Sequence, residues 1–91
     1  MGELAAAAPT GEAVLAEIRR VVAQELGLTR AVEPADDLLA DLQLDSVGIL
    51  TLVVGLEDRF RVALAEDDAA SLRTVGDLAS LIVRRAQEAL R

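Results

Sequence analysis

In DLQLDSVGILTLVVGLEDRF, residues 41–60, a polar turn gives way to an apolar run from Val47 to Leu56 in which Thr51 is the one polar residue. Asp45 suits the N-cap of a helix, where its carboxylate accepts from backbone N–H groups of the first turn. Ser46 is then the first helical residue, with its hydroxyl free to point into solvent, and the helix runs to about Phe60. A helix that is hydrophobic almost all round is normally buried on every side. Ile49, Leu52, Val53, Leu56 and Phe60 form one stripe suited to a core. Val47, Leu50 and Val54, spaced three and four apart, form a second stripe. In a bundle of three main helices nothing is left to cover that second stripe. It is therefore expected to stay exposed as a docking face.

Upstream, Val14, Ile18, Val21, Val22 and Leu26 recur at helical spacing and predict a first helix over about 11–26, with Gly27 just beyond its C-cap. Arg20, Glu17 and Gln24 fall on its other faces. Residues 1–9 read as a flexible N-terminal tail of small residues, and residues 10–91 as the folded domain. A long connection spans Leu28 to Asp45. Glu33-Pro34 resists helix there, yet Val32, Leu38, Leu39, Leu42 and Leu44 are too apolar for a solvated linker and are expected to pin the loop across the bundle. Downstream, Glu66 to Ser71 has room for one short helical turn. The last helix starts at Thr74, with Asp77 completing a capping-box variant. Val75, Leu78, Leu81, Ile82 and Ala86 form its apolar stripe, and Arg84, Arg85 and Arg91 suit its C-terminal end. The expected fold is all-α: a small four-helix bundle of three main helices and one short one, with a long loop between helices one and two.

Composition narrows the function. Ninety-one residues with one aromatic, Phe60, make one domain with an aliphatic core. Without cysteine there is no disulfide framework, and without His or Cys the usual transition-metal ligands and the commonest general base are missing. The net charge of −7 is concentrated between residues 36 and 77, where ten acids face three arginines. That sign argues against nucleic acid and for a basic protein partner. The Ala5–Ala8 run is too short for a signal core. The apolar run from Val47 falls well short of the roughly 20 residues that cross a bilayer. A cytoplasmic monomer that does not contact membrane is expected.

Asp45-Ser46 alone is satisfied by two capping residues. The apolar helix behind it points further. A phosphate on the Ser46 hydroxyl would sit against the unpaired N–H groups and positive dipole end of that helix, a plausible tether for a phosphodiester.

The order of these features is distinctive: an amphipathic helix ending in Leu26-Gly27, a leucine-bearing loop, Asp41-Leu42-x-x-Asp45-Ser46, an apolar helix closing on Glu57-Asp58-x-Phe60, and Thr74-Val75-x-Asp77-Leu78. From about Thr10 onward the chain resembles the acyl carrier protein family and its peptidyl carrier relatives. The resemblance implies that Ser46, supported by Asp45, receives 4′-phosphopantetheine from coenzyme A through a phosphopantetheinyl transferase. The thiol of that arm would then carry an acyl or aminoacyl thioester. The chain would be no enzyme. Loading and processing enzymes would dock on Val47, Leu50, Val54, Glu57 and Asp58 and supply the chemistry.

Two departures bear on the assignment. Many members have Gly where this chain has Gln43, so the turn before Asp45 cannot rely on a conformation open only to glycine. Carriers of fatty acid synthesis usually have acids early in the second helix, where this chain has Gly48 and Thr51. A specialised polyketide or hybrid pathway is the expected setting. The competing reading is an unmodified acidic helical adaptor that binds a partner through the same Val47, Leu50 and Val54 stripe. Calcium is a poor fit, since Asp37, Asp41 and Asp45 are spaced by four whereas an EF-hand loop alternates its ligands.

Overall fold

The structure, a computed structural model, describes residues 8–90, apart from the side chain of Ala69. The described residues contain four helices: α1 (Gly11–Gln24), α2 (Ser46–Phe60), α3 (Glu66–Ala70) and α4 (Val75–Ala89). The first seven residues of the expected tail, and Arg91, lie outside the described residues. Ala8 and Pro9 are half-buried in a shallow depression that they share with Phe60, Ala86 and Leu90.

Three helices pack around an aliphatic core. Val14, Ile18, Val21 and Val22 enter it from α1, and Leu52, Val53 and Leu56 from α2. Val75, Leu78, Leu81, Ile82 and Ala86 enter it from α4. Each fully buried Leu, Ile or Val stabilises the fold by about 1.5–3 kcal/mol. The helix starts are set locally. Thr10 Oγ1 accepts from Ala13 N–H, and at Thr74 both arms of the capping box are present. Thr74 Oγ1 accepts from Asp77 N–H at 3.0 Å while the Asp77 carboxylate accepts from Thr74 N–H at 3.1 Å. That backbone hydrogen bond is the main cause of the lowered Asp77 pKa.

The long loop is pinned as expected by Val32, Leu38 and Leu42, each at most 3% exposed. Leu39 departs from the expectation at 62% exposed. The Asp37 carboxylate accepts from the N–H groups of Leu39 and Ala40, and this turn sends Leu38 inward and Leu39 outward. The same loop is stitched to the start of α4 by backbone bonds: Leu38 N–H to Arg73 O, Val75 N–H to Asp36 O and Gly76 N–H to Pro34 O. Gly76 has a steric reason to lack a side chain, because a Cβ there would lie 3.1 Å from the Pro34 carbonyl oxygen.

Two further expectations are adjusted. Helix α1 ends at Gln24 rather than Leu26, since Leu26 N–H reaches back five residues to Val21 O, which Glu25 N–H already occupies, and leaves the regular ladder. Arg84 and Arg85 are not in the last turn of α4. Arg85 instead clamps α3, with Nη2 2.7 Å from Asp68 Oδ1 and Nε 3.3 Å from Oδ2. This hydrogen-bonded pair, helped by the Ala65 N–H, lowers the Asp68 pKa.

Gln43 adopts a left-handed conformation, φ 56°, which costs a residue bearing a Cβ roughly 1–2 kcal/mol. Gln43→Gly removes that cost but adds freedom to the unfolded chain, so a net gain of about 0.5–1 kcal/mol is expected. A thermal melt should show the midpoint rising by a few degrees.

Candidate functional site: an exposed serine beside an unpartnered helix face

Asp45 is the N-cap of α2, with extended backbone (φ −91°, ψ −176°) and its Oδ1 2.7 Å from Gly48 N. Ser46 follows as the first helical residue and is exposed. Asp45 takes one of the first-turn donors, and Ile49 N–H bonds Asp45 O. No intramolecular acceptor is found for the N–H groups of Ser46 and Val47 among the described residues. The hydroxyl therefore stands at the positive end of a fifteen-residue helix with free donors beside it. A phosphodiester on Ser46 Oγ fits this setting: it needs no space inside the fold, and the unpaired N–H groups of the first turn lie beside it.

The apolar residues behind Ser46 divide as their spacing predicts. Leu52 and Leu56 are fully buried, whereas Val47 is 70%, Leu50 61% and Val54 51% exposed. Leu50 is a ridge between two depressions. One is shared with Ser46, Ile49 and Val53. The other runs between α1 and α2, with Val47, Thr51, Val54, Gly55 and Asp58 on one side and Glu17, Arg20 and Glu25 on the other.

Glu57 is not gathered with this set. Its Oε2 accepts from Leu64 N–H at 2.7 Å, tying the end of α2 to the following loop. The α1 rim is a part of the site that sequence reading does not find. Arg20 lies 2.6 Å from Glu17 and 3.6 Å from Glu25, and its hydrogen bond is the first cause of the lowered Glu17 pKa. The spacing of Glu17, Arg20 and Gln24 marks a polar face of α1, but nothing in it says that this face borders α2. The aspartates of the loop are spent locally: Asp41 accepts from Asp37 N–H, Asp37 from Leu39 and Ala40, and Asp45 from Gly48.

An exposed, capped serine before a half-exposed apolar helix in an all-α bundle is the arrangement that a small carrier domain with a covalently held prosthetic arm requires. Comparison with known proteins agrees. The family profile described as "Phosphopantetheine attachment site" matches residues 16–82. The chain is 38% identical over 74 residues to the acyl carrier protein of Arthrobacter sp. (strain FB24), covering 80% of this chain and 91% of that one. It is 30% identical over 82 residues to the meromycolate extension acyl carrier protein of Mycolicibacterium smegmatis, covering 89% and 83%. The fold superposes on the acyl carrier protein of Thermotoga maritima with a TM-score of 0.79 at 20% identity, over 87% of this chain and 93% of that one. The chain belongs to the acyl carrier protein family, whose prosthetic group is covalently attached 4′-phosphopantetheine.

Proposed function

We propose that Ser46 is the attachment residue, and that the chain is a cytoplasmic, monomeric carrier of acyl or aminoacyl thioesters in a specialised polyketide or hybrid pathway. The exposure of Ser46 directly behind the Asp45 cap carries the first part. Asp45 holds the first turn of α2 in place and Ser46 offers its hydroxyl to a phosphopantetheinyl transferase. The arm supplies the thiol on which cargo travels. Loading and processing enzymes bring the acids, bases and nucleophiles. Intact mass after co-expression with a broad-specificity transferase tests the assignment, and an unmodified Ser46 would favour the adaptor reading.

The docking face carries the pathway reading. Val47, Leu50 and Val54 are apolar, and Thr51 spends its hydroxyl on Val47 O at 2.9 Å. The first three turns of α2 thus present no ionised group after Asp45. Glu57 is engaged with Leu64 N–H, so Asp58 is the acid of α2 left facing the groove. Charge pairs at an interface mainly set encounter rate and partner choice, and salt weakens them. Docking here should rest on apolar contact and depend less on salt than docking of a carrier with an acidic second helix.

The test is malonyl loading by a fatty-acid-pathway transferase, beside a fatty-acid carrier. Gly48 is the wrong place to add an acid, because it is buried and its Cβ would lie 3.4 Å from Asp45 Oδ1. Val47→Glu/Thr51→Glu places both charges on the docking face. The wild type is expected to load about tenfold more slowly than the fatty-acid carrier, a difference of about 1.4 kcal/mol, with the double variant recovering part of it. Equal loading by the wild type, or no gain from the added acids, overturns the pathway reading.

A further inference from the structure

The glycines within helices α2 and α4 differ in what holds them there. Gly76 is required by the close Pro34 carbonyl, and a Cβ on Gly48 would lie 3.4 Å from the N-cap carboxylate. Gly55 has neither reason. It lies inside α2 without a positive φ, and a Cβ there would meet one atom within 4 Å, Val21 Cγ2, at an ordinary 3.6 Å. Glycine is the poorest helix former after proline, so an alanine at 55 would favour the helix and complete its contact with α1. What the missing side chain does is leave room: Gly55 lines the groove between α1 and α2 beside Val54 and Asp58.

We propose that this groove seats an apolar side chain of the enzyme that modifies Ser46, and that Gly55 sets the size of side chain it accepts. The proposal rests on the carrier reading above. Gly55 is nine residues beyond Ser46, roughly 13 Å along the helix axis, so one docked enzyme reaches both. The charges of the groove describe the neighbour of that side chain. Arg20 is held by Glu17 and Glu25, and Arg59 lies 3.9 Å from Glu17. Asp58 is exposed and makes no ion pair among the described residues. The unspent charge is negative, so the occupant is an apolar side chain flanked by Lys or Arg.

The experiment uses the full chain, coenzyme A, Mg²⁺ and a broad-specificity phosphopantetheinyl transferase, with initial rates measured against carrier concentration. Gly55→Ala should melt a few degrees higher than wild type and raise KM about threefold; Gly55→Leu should raise KM about tenfold with kcat nearly unchanged. Gln87→Leu places the same leucine side chain at an exposed position of α4, away from the groove, and should leave KM unchanged. Asp58→Asn should raise KM and flatten its dependence on salt. If Gly55→Leu fails to fold, Gly55→Ala decides. Wild-type KM in a folded Gly55 variant, beside a wild type that takes up the arm, overturns the groove alone. A wild type that takes up no arm overturns the carrier reading and this proposal together.

Discussion

Ser46→Ala is expected to fold as the wild type does and to take up no phosphopantetheine. The side chain of Ser46 is exposed and has no intramolecular hydrogen-bond partner among the described residues, so its loss leaves no buried group unsatisfied. The Asp45 cap, made to Gly48 N–H rather than to Ser46, stays in place. Alanine is also the better helix former, by a few tenths of a kcal/mol. The thermal midpoint should therefore stay level or rise slightly. Arm transfer depends on one oxygen and should fall to nothing. Ser71 and Ser80 are poor substitutes, since Ser71 Oγ donates to Asp68 O at the end of the five-residue α3 and Ser80 lies within α4. The check is intact mass after incubation with coenzyme A, Mg²⁺ and a broad-specificity transferase, with a melting curve on the same sample. A mass increase in the alanine variant would sink the assignment of Ser46.

The second large effect comes from placing one charge on either side of the same helix. Leu56 is fully buried in the shared core. Leu56→Asp removes about 1.5–3 kcal/mol of apolar burial and leaves a carboxylate without a partner, which costs several kcal/mol more. Together these rival the whole stability of a small domain, about 5–15 kcal/mol, so the variant should be largely unfolded at 25 °C. Val54 is 51% exposed. Val54→Asp gives up about half of a valine's burial, about 1 kcal/mol, and adds a like charge four residues before Asp58, worth a few tenths of a kcal/mol. Its melting midpoint should fall by several degrees at most, while KM for a docking enzyme should rise about tenfold as an apolar contact becomes a desolvated charge. Circular dichroism and transfer kinetics separate the two. Comparable unfolding in both variants would show that Val54 belongs to the core and that the docking face lies elsewhere.

Both sides of that helix are legible in the sequence because what sets them is local. The caps at Thr10, Asp45 and Thr74 are local events, each a side chain meeting a backbone N–H three residues on. Helical period then separated Leu52 and Leu56 from Val47, Leu50 and Val54 before any neighbour was known. Gly27, with φ 74°, is the left-handed glycine expected after α1. Leu39 turns outward against its hydropathy because the Asp37 carboxylate bonds the N–H groups of Leu39 and Ala40, which a hydropathy pattern does not encode.

The helices, their starts, the serine at the head of α2 and the two stripes behind it are legible in the chain, because each rests on interactions within a few residues. Packing between helices is what ties Glu57 to Leu64, buries Gly48, brings Arg85 to Asp68 on α3, and sets Glu17 and Arg20 of α1, with its C-cap Glu25, along the groove beside Gly55. Those facts depend on how far each helix is turned and shifted against its neighbours, and that is set by how the aliphatic side chains of three helices fill one core together.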